Sequence, residues 1–140
     1  MSTYQKLSIF LLRISLGALF FYAGITKVLD PSWTAAGYIG QAKHFVSFFE
    51  WVRSPSMIGI TNLVNEWGLT ILGASLIIGL FVRYSAWFGI LLMSLYYLVL
   101  PFPYPNTHAL VVDEHIIYIC ALLVLATLDS GRIWGFDSKR

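Results

Sequence analysis

The chain has 140 residues, which is enough for one domain. Its residues are 58% hydrophobic and only 11% charged, whereas soluble domains carry about a quarter charged residues. This composition excludes an ordinary water-soluble domain and indicates an integral membrane protein. The formal net charge of +2, without a lysine–arginine cluster, excludes a nucleic-acid partner. The single cysteine excludes a disulfide within the chain.

Four apolar segments predict four membrane-spanning helices, and they cover about residues 7–28, 57–81, 84–100 and 110–128. Each approaches the roughly 20 residues that a helix needs to cross a hydrocarbon layer of about 30 Å. Because backbone groups in lipid must be paired within the protein, we expect helices rather than strands. The predicted fold is therefore an all-α, integral membrane four-helix bundle that forms a single domain over residues 1–140.

The segment between the first two spans carries the signals of a further helix. Asp30 is a good capping residue, and Pro31 suits the first helical position. The residues that follow mix aromatic and polar side chains, which is typical of a helix lying in the membrane interface. We therefore expect one interfacial helix over about residues 31–51. After the third span, the prolines of residues 101–105 predict a stiff loop, since proline cannot continue a helix.

The distribution of cations predicts the orientation. Four spans place both termini and the turn after the second span on one side of the membrane. That side carries most of the cations: Lys6, Arg83, Arg132, Lys139 and Arg140. Lysine and arginine are enriched in cytoplasmic loops. Both termini are therefore predicted to be cytoplasmic, with the protein in the cytoplasmic (inner) membrane and the lipid bilayer as its immediate partner.

Glu66 lies in the middle of the second apolar segment and is the most informative residue of the chain. A carboxylate at the centre of a lipid-spanning helix costs at least a few kcal/mol, so it should face a partner, a cavity or a ligand. A helix rises about 1.5 Å per residue, which places Arg13 of the first span close enough in membrane depth for its side chain to reach Glu66. If the first two helices pack together, Arg13 and Glu66 are expected to form a structural ion pair.

A second polar layer is predicted near the outer ends of the spans. Its members are Lys27, Asn62, Asp113, Glu114 and His115. Histidine exchanges a proton near neutral pH, and the lysine, amide and carboxylates suit the polar end of a ligand. Together with Glu66, these residues are the candidates for a ligand-binding or proton-relaying pocket. Their spacing matches no metal site, and no residue is identified as catalytic.

Two interpretations of these charges remain open. In the first, they bind a small apolar ligand or relay protons through a polar intramembrane pocket. In the second, they fix helix packing and the docking of a partner, and the protein is a structural or assembly subunit. A small transporter is a third interpretation, but its usual sign is an internal repeat, and the two halves of the chain show no convincing one.

Three segments of the chain resemble the DoxX family. Residues 13–27, RISLGALFFYAGITK, resemble the arginine-to-lysine pattern of the family's opening helix. Residues 66–83 resemble its second helix, in which a glutamate is followed by glycines and the helix is closed by a basic turn. Residues 113–118, DEHIIY, resemble the acidic-x-His start of its last helix. The resemblance extends over about residues 10–130 and is weakest in the interfacial segment.

The resemblance implies a four-helix membrane protein that serves as a subunit of a quinone-linked redox complex. The family includes the DoxD-type small subunit of membrane thiosulfate:quinone oxidoreductase. A quinone is therefore the implied ligand, and other membrane or peripheral subunits, or further copies of the chain, are the implied partners. Because the chain has one cysteine and no cofactor motif, it is expected to be an oxidoreductase subunit that is not catalytic alone.

Overall fold

The computed structural model describes residues 1–139, and this part of the chain is helical. The α-helices are α1 (Thr3–Val28), α2 (Ala36–Ile39), α3 (Val46–Arg53), α4 (Ile58–Ile78), α5 (Val82–Val99) and α6 (Glu114–Thr127). Two short 3₁₀ helices, Ser130–Arg132 and Phe136–Lys139, follow α6. No strand occurs between residues 1 and 139. The predicted all-α class is therefore confirmed.

The four long helices coincide with the four apolar segments of the sequence to within a few residues. Helices α1 and α5 are long and apolar enough to cross a membrane. Helix α6 is apolar, but its 14 residues are fewer than the roughly 20 that an upright span needs. Helix α4 has 21 residues and carries Glu66. Length and composition thus support two candidate spans, and the four-span bundle stays a prediction.

Small residues let α1 and α4 pack backbone against backbone. A Cβ atom on Gly24 would lie 2.5 Å from the hydroxyl of Thr70, and one on Gly17 would lie 2.9 Å from the backbone nitrogen of Ile77. From the other helix, a Cβ on Gly73 would lie 2.5 Å from the Cα of Phe21. Real side chains do not fit at such distances. Glycines therefore fix how closely these two helices approach, as in many membrane helix pairs.

An apolar core lies between α1, α4, α5 and α6. Its most enclosed members include Phe20, Leu69, Leu72, Leu76, Leu122 and Leu125. Other large apolar side chains of the same helices point outward, and those that are more than half exposed include Leu11, Leu63, Ile71, Leu91 and Ile117. An apolar surface of this extent is what lipid contact requires and what water disfavours.

The single interfacial helix predicted over residues 31–51 is wrong. The structure has two short helices there, α2 and α3, separated by turns and by Phe45 at a φ of +51°. Asp30 caps no helix, because its carboxylate accepts hydrogen bonds from the backbone and the hydroxyl of Ser32, at 3.0 and 2.6 Å. These bonds also lower the pKa of the Asp30 carboxyl. Aspartate favours such local turns as readily as helix caps.

The two short helices fold over one end of the long ones. Ala35, Ile39 and Phe49 are buried in a small core against Val99, at the end of α5. Asn62 of α4 fixes the start of this segment by accepting the backbone N–H of Ala35 at 2.9 Å. The segment thereby forms one wall of a cavity.

Candidate functional site

A cavity of about 510 Å³ lies between the α2–α3 segment and the ends of α1, α4, α5 and α6. Its walls are mostly apolar and include Phe48, Phe49, Ile60, Val64, Leu92 and Leu95. Polar groups are fewer: Lys27, Thr61, Asn65, Tyr96, Glu114 and His115. The volume falls within the roughly 300–1,000 Å³ of typical small-molecule sites, which are likewise apolar with a few polar groups. The shape and lining therefore suit an amphipathic small molecule.

Asp113 and His115 form a hydrogen-bonded pair at the edge of this cavity. Asp113 precedes the first residue of α6, and its carboxylate caps the helix by accepting the backbone N–H of His115 at 3.0 Å. The Nδ1 of His115 donates to the other carboxylate oxygen at 2.7 Å. The two side chains are only 1% and 14% exposed. Because a carboxylate can only accept, Nδ1 carries the proton and Nε2 is left as an acceptor.

Lys27 brings a positive charge to the same cavity. It is half-buried near the end of α1, where its ammonium donates to the carbonyl oxygen of Ala23 at 2.8 Å and lies 5.4 Å from the ring centroid of Trp33. Within residues 1–139 it forms no ion pair with Asp113 or Glu114. An ammonium has three N–H donors, so two remain for a ligand. Lys27, Glu114 and His115 are therefore brought together as cavity-lining residues, with Asp113 behind His115.

Sequence reasoning missed two tyrosines of the site. The hydroxyl of Tyr96 donates to the side-chain oxygen of Asn65, and its ring meets the imidazole of His115 edge-on at 6.0 Å between centroids. The hydroxyl of Tyr38 donates to the backbone carbonyl of Tyr96 at 2.9 Å. Burial, with smaller contributions from Asp113 and Glu114, raises the pKa of Tyr38 to about 12. The sequence signal that could have indicated Tyr96 was the presence of two adjacent tyrosines in the third apolar segment.

Asn62 and Glu66 lie outside the cavity lining. Asn62 serves the α2 connection, since its side-chain oxygen accepts from the backbone of Ala35. Glu66 follows the cavity residue Asn65 and is half-buried. Its carboxylate makes no hydrogen bond or ion pair with any residue from 1 to 139. The structure thus places Asn62 as a contact between segments and leaves Glu66 with an unpaired charge.

The expected ion pair between Arg13 and Glu66 is not formed. The guanidinium of Arg13 lies against Gly79 at the end of α4 and donates to the carbonyl oxygen of Trp134 at 3.3 Å. Glu66 is more than three helical turns, or roughly 20 Å, earlier along α4. The depth estimate failed because it could not foresee the register of the two helices: Gly24 meets Thr70 and Gly17 meets Ile77, which brings Arg13 level with the end of α4.

The fold and the site define a class: a helical protein with two candidate spans and an amphipathic cavity between its helices. Residues 8–101 match the family model DoxX. Since this is more than half of the chain, the chain belongs to the DoxX family and is a membrane protein. The match includes Lys27 and Tyr96 but ends before the Asp113–His115 pair. No curated protein and no solved structure matches the chain.

Proposed function

We propose that this protein is a membrane subunit that binds a small apolar ligand with a polar head group in the cavity beside His115. The Asp113–His115 pair is the observation that carries the proposal. Within the described part of the chain, it leaves one imidazole nitrogen unpaired on a side chain that lines a largely apolar volume. Packing alone needs no such arrangement, whereas a protonable ligand does. The same carboxylate–imidazole geometry prepares histidine to accept protons in many enzymes.

Each polar residue makes a different contact with the head group. Lys27 donates hydrogen bonds to a ligand oxygen, and Nε2 of His115 accepts a proton from a ligand hydroxyl. Asp113 then stabilises the imidazolium, since it already accepts the proton on Nδ1. The apolar part of the ligand packs against aromatic walls such as Phe49 and Tyr96. Binding and proton exchange thereby occur at one place.

A quinone has the chemical groups that these contacts require. Its two carbonyl oxygens accept hydrogen bonds, and its reduced form carries two hydroxyl groups. Oxidation of the reduced form releases two electrons and two protons, and reduction of the quinone takes up the same number. We assign the proton path to His115 and Glu114, with Glu66 as an extension beyond Asn65, and the electrons to a partner subunit. The protein is then one subunit of a quinone-linked redox complex and is not catalytic alone.

The proposed arrangement in the membrane has four spans, formed by α1, α4, α5 and α6. Both termini are in the cytoplasm, and the α2–α3 segment lies at the outer surface. The outward-facing apolar side chains of the long helices support lipid contact. Lys6, Arg83, Arg132 and Lys139 all lie towards the proposed cytoplasmic end, which supports the orientation.

Titration with a quinone analogue tests the proposal. Purified protein in nanodiscs is titrated with a short-chain benzoquinone, for wild type, His115→Ala and Lys27→Ala. Each substitution is expected to weaken binding about tenfold, since each removes a hydrogen bond between ligand and a charged or protonable group. His108→Ala and Lys43→Ala are matched controls, because both residues are exposed and neither lines this cavity. Equal affinity in all five proteins would remove the proposal.

A structural or assembly role is the second candidate, and Glu66 is the observation that favours it. A half-buried carboxylate without a partner among residues 1–139 suits a contact with a cation on another chain. Glu66→Gln is then expected to reduce recovery of the assembled complex while leaving ligand affinity unchanged. Co-purification from the native membrane measures the first quantity, and the quinone titration measures the second. A loss of affinity with intact assembly would instead place Glu66 in the ligand or proton path.

A further inference from the structure

Arg13 lies at the opposite end of the bundle from the cavity, enclosed by protein atoms. Its side chain is fully buried, and its Nε and Nη1 atoms have no hydrogen-bond partner among residues 1–139. Nη2 donates to the carbonyl oxygen of Trp134, and the centroid of the Phe10 ring lies 5.4 Å from the guanidinium carbon. Buried polar groups are nearly always paired. Two orphan nitrogens on one buried cation indicate a role beyond packing.

The enclosure of Arg13 is closed by the C-terminal segment, residues 129–139. Nη1 of Arg13 lies between Gly79, at the end of α4, and Gly135 of this segment, and a Cβ atom at either glycine would overlap it. Trp134 and Gly135 therefore cover the guanidinium. Movement of this segment alone would uncover it, without any change in the packing of α1 against α4.

Asp137 occupies an anion position next to Arg13. Its carboxylate accepts the backbone N–H groups of Phe81 and Val82, at 2.9 and 3.1 Å, where α5 begins. The first N–H groups of a helix lack partners within the helix and attract negative charge, and phosphate groups commonly bind there. Asp137 also acts electrostatically on Arg13, although the two form no ion pair within the described chain. The carboxylate that is bound at the α5 N-terminus therefore lies near the buried guanidinium without contacting it.

Further cations border this position. A cavity of about 240 Å³ beside Asp137 is lined by Arg83 and Arg132, together with Tyr84 and Asp129. Arginine side chains and helix N–H groups are the donors that phosphate recognition uses most effectively. In the proposed membrane arrangement this end of the bundle lies at the cytoplasmic surface, at the level of the lipid phosphates.

We propose that the N-terminus of α5 and Arg13 form a binding site for a phosphate group, and that Asp137 closes the site as an internal competitor. A phosphate displaces the Asp137 carboxylate from Phe81 and Val82 and lifts residues 134–139. The orphan Nε and Nη1 atoms of Arg13 then gain an anionic acceptor. The phosphate comes from the head group of an anionic phospholipid or from solution. This site is separate from the cavity at His115.

Native mass spectrometry of the detergent-solubilised protein tests the competition. Wild type and Asp137→Asn are titrated with short-chain phosphatidylglycerol, phosphatidylcholine and inorganic phosphate. Asparagine can still accept one of the two helix N–H groups but removes the competing charge, so binding of phosphatidylglycerol or inorganic phosphate should tighten about fivefold, the effect of one charge at a helix N-terminus. Adding Arg13→Gln should abolish the gain. Glu50→Gln, an exposed charge change on α3, should leave binding unchanged. Whichever anion shows the gain identifies the source of the phosphate.

Hydrogen exchange on the wild-type protein gives a second measurement that needs no variant. Adding the phosphate probe should increase exchange in residues 134–139 while the amides of Phe81 and Val82 stay protected, because they change acceptor rather than lose one. Unchanged exchange in residues 134–139 would overturn the proposal. So would an Asp137→Asn protein that binds each probe no more tightly than wild type, or a gain that survives Arg13→Gln.

Discussion

Helix α1 holds two cations, Arg13 near its middle and Lys27 near its end, and the protein surrounds them in different ways. At the cavity end, defined by Lys27, Tyr96 and His115, polar atoms keep unpaired positions on the wall of a cavity of about 510 Å³. At the tail end, defined by Arg13 and Asp137, the guanidinium is fully buried under the C-terminal segment. Burial therefore does not distinguish a side chain that lines a cavity from one that is enclosed by protein. The two are distinguished by the open space beside the unpaired polar atoms at the cavity end.

The largest effect is expected from a variant that separates α1 from α4, because both ends of the bundle depend on that contact. Gly24→Leu places a side chain where a Cβ atom would already lie 2.5 Å from the Thr70 hydroxyl and 2.8 Å from the carbonyl carbon of Leu69. We expect the free energy of unfolding to fall by about 3 kcal/mol, the upper range for overpacking. Thermal or denaturant unfolding in detergent, followed by circular dichroism, measures it.

Gly59→Leu is the control for that change. Gly59 lies in α4, the other helix of this contact, but no atom of the described residues stands within 4 Å of a Cβ atom at that position. Stability should therefore remain close to that of wild type. If both variants lost stability equally, the cause would be the loss of glycine and not the contact between the helices.

At the cavity end, the two roles of Asp113, capping α6 and accepting the proton of His115, can be measured separately. Asp113→Asn can still cap α6, whereas Asp113→Ala cannot, so alanine should lower the free energy of unfolding by about 1 kcal/mol more than asparagine. Both variants remove the acceptor that fixes the proton on Nδ1 of His115, so both should weaken ligand binding. Denaturant unfolding and quinone titration measure the two effects. Unchanged affinity in Asp113→Asn would mean that the carboxylate only caps the helix.

A smaller effect is expected at the cavity end, where the titration of Tyr38 makes stability depend on pH. Burial raises the pKa of Tyr38 from 10.0 to about 12, so the folded state keeps a proton that the unfolded state loses between these values. Stability is then unaffected below pH 10 and falls as the pH rises towards 12. Tyr38→Phe should remove part of this alkaline decline in an unfolding series. An identical decline in the variant would show that Tyr38 titrates normally.

The sequence predicted the helices well because they depend on local composition. Four apolar runs of sufficient length are read directly from the residues, and Asp113 is a good helix cap wherever it precedes an apolar run. The failure at residues 31–51 has the same local origin. Asp30 and Ser32 satisfy each other in a turn, and this competes with the helix that the cap signal indicated.

The sequence indicated only part of the lining of the candidate site, because that lining depends on how distant segments meet. Lys27, Glu114 and His115 were placed at one depth by counting residues, and the cavity does bring them together. The same counting paired Arg13 with Glu66, and there it failed. Depth along a helix is a local quantity, but the partner of Arg13 belongs to a segment more than 110 residues away, at Trp134. No periodicity in the sequence reports such a contact.

The smallest expected effect lies at the tail end, where two carboxylates stand eight residues apart along the chain. Asp129 meets Arg83 at 4.0 Å with both side chains more than half exposed, so Asp129→Asn should change the free energy of unfolding by less than about 0.5 kcal/mol. Asp137 accepts two backbone N–H groups at the start of α5, so Asp137→Ala should cost about 1–2 kcal/mol. Denaturant unfolding of both variants gives the difference. A cost for Asp129→Asn as large as that for Asp137→Ala would mean that the whole C-terminal segment, and not the single cap, holds this end closed.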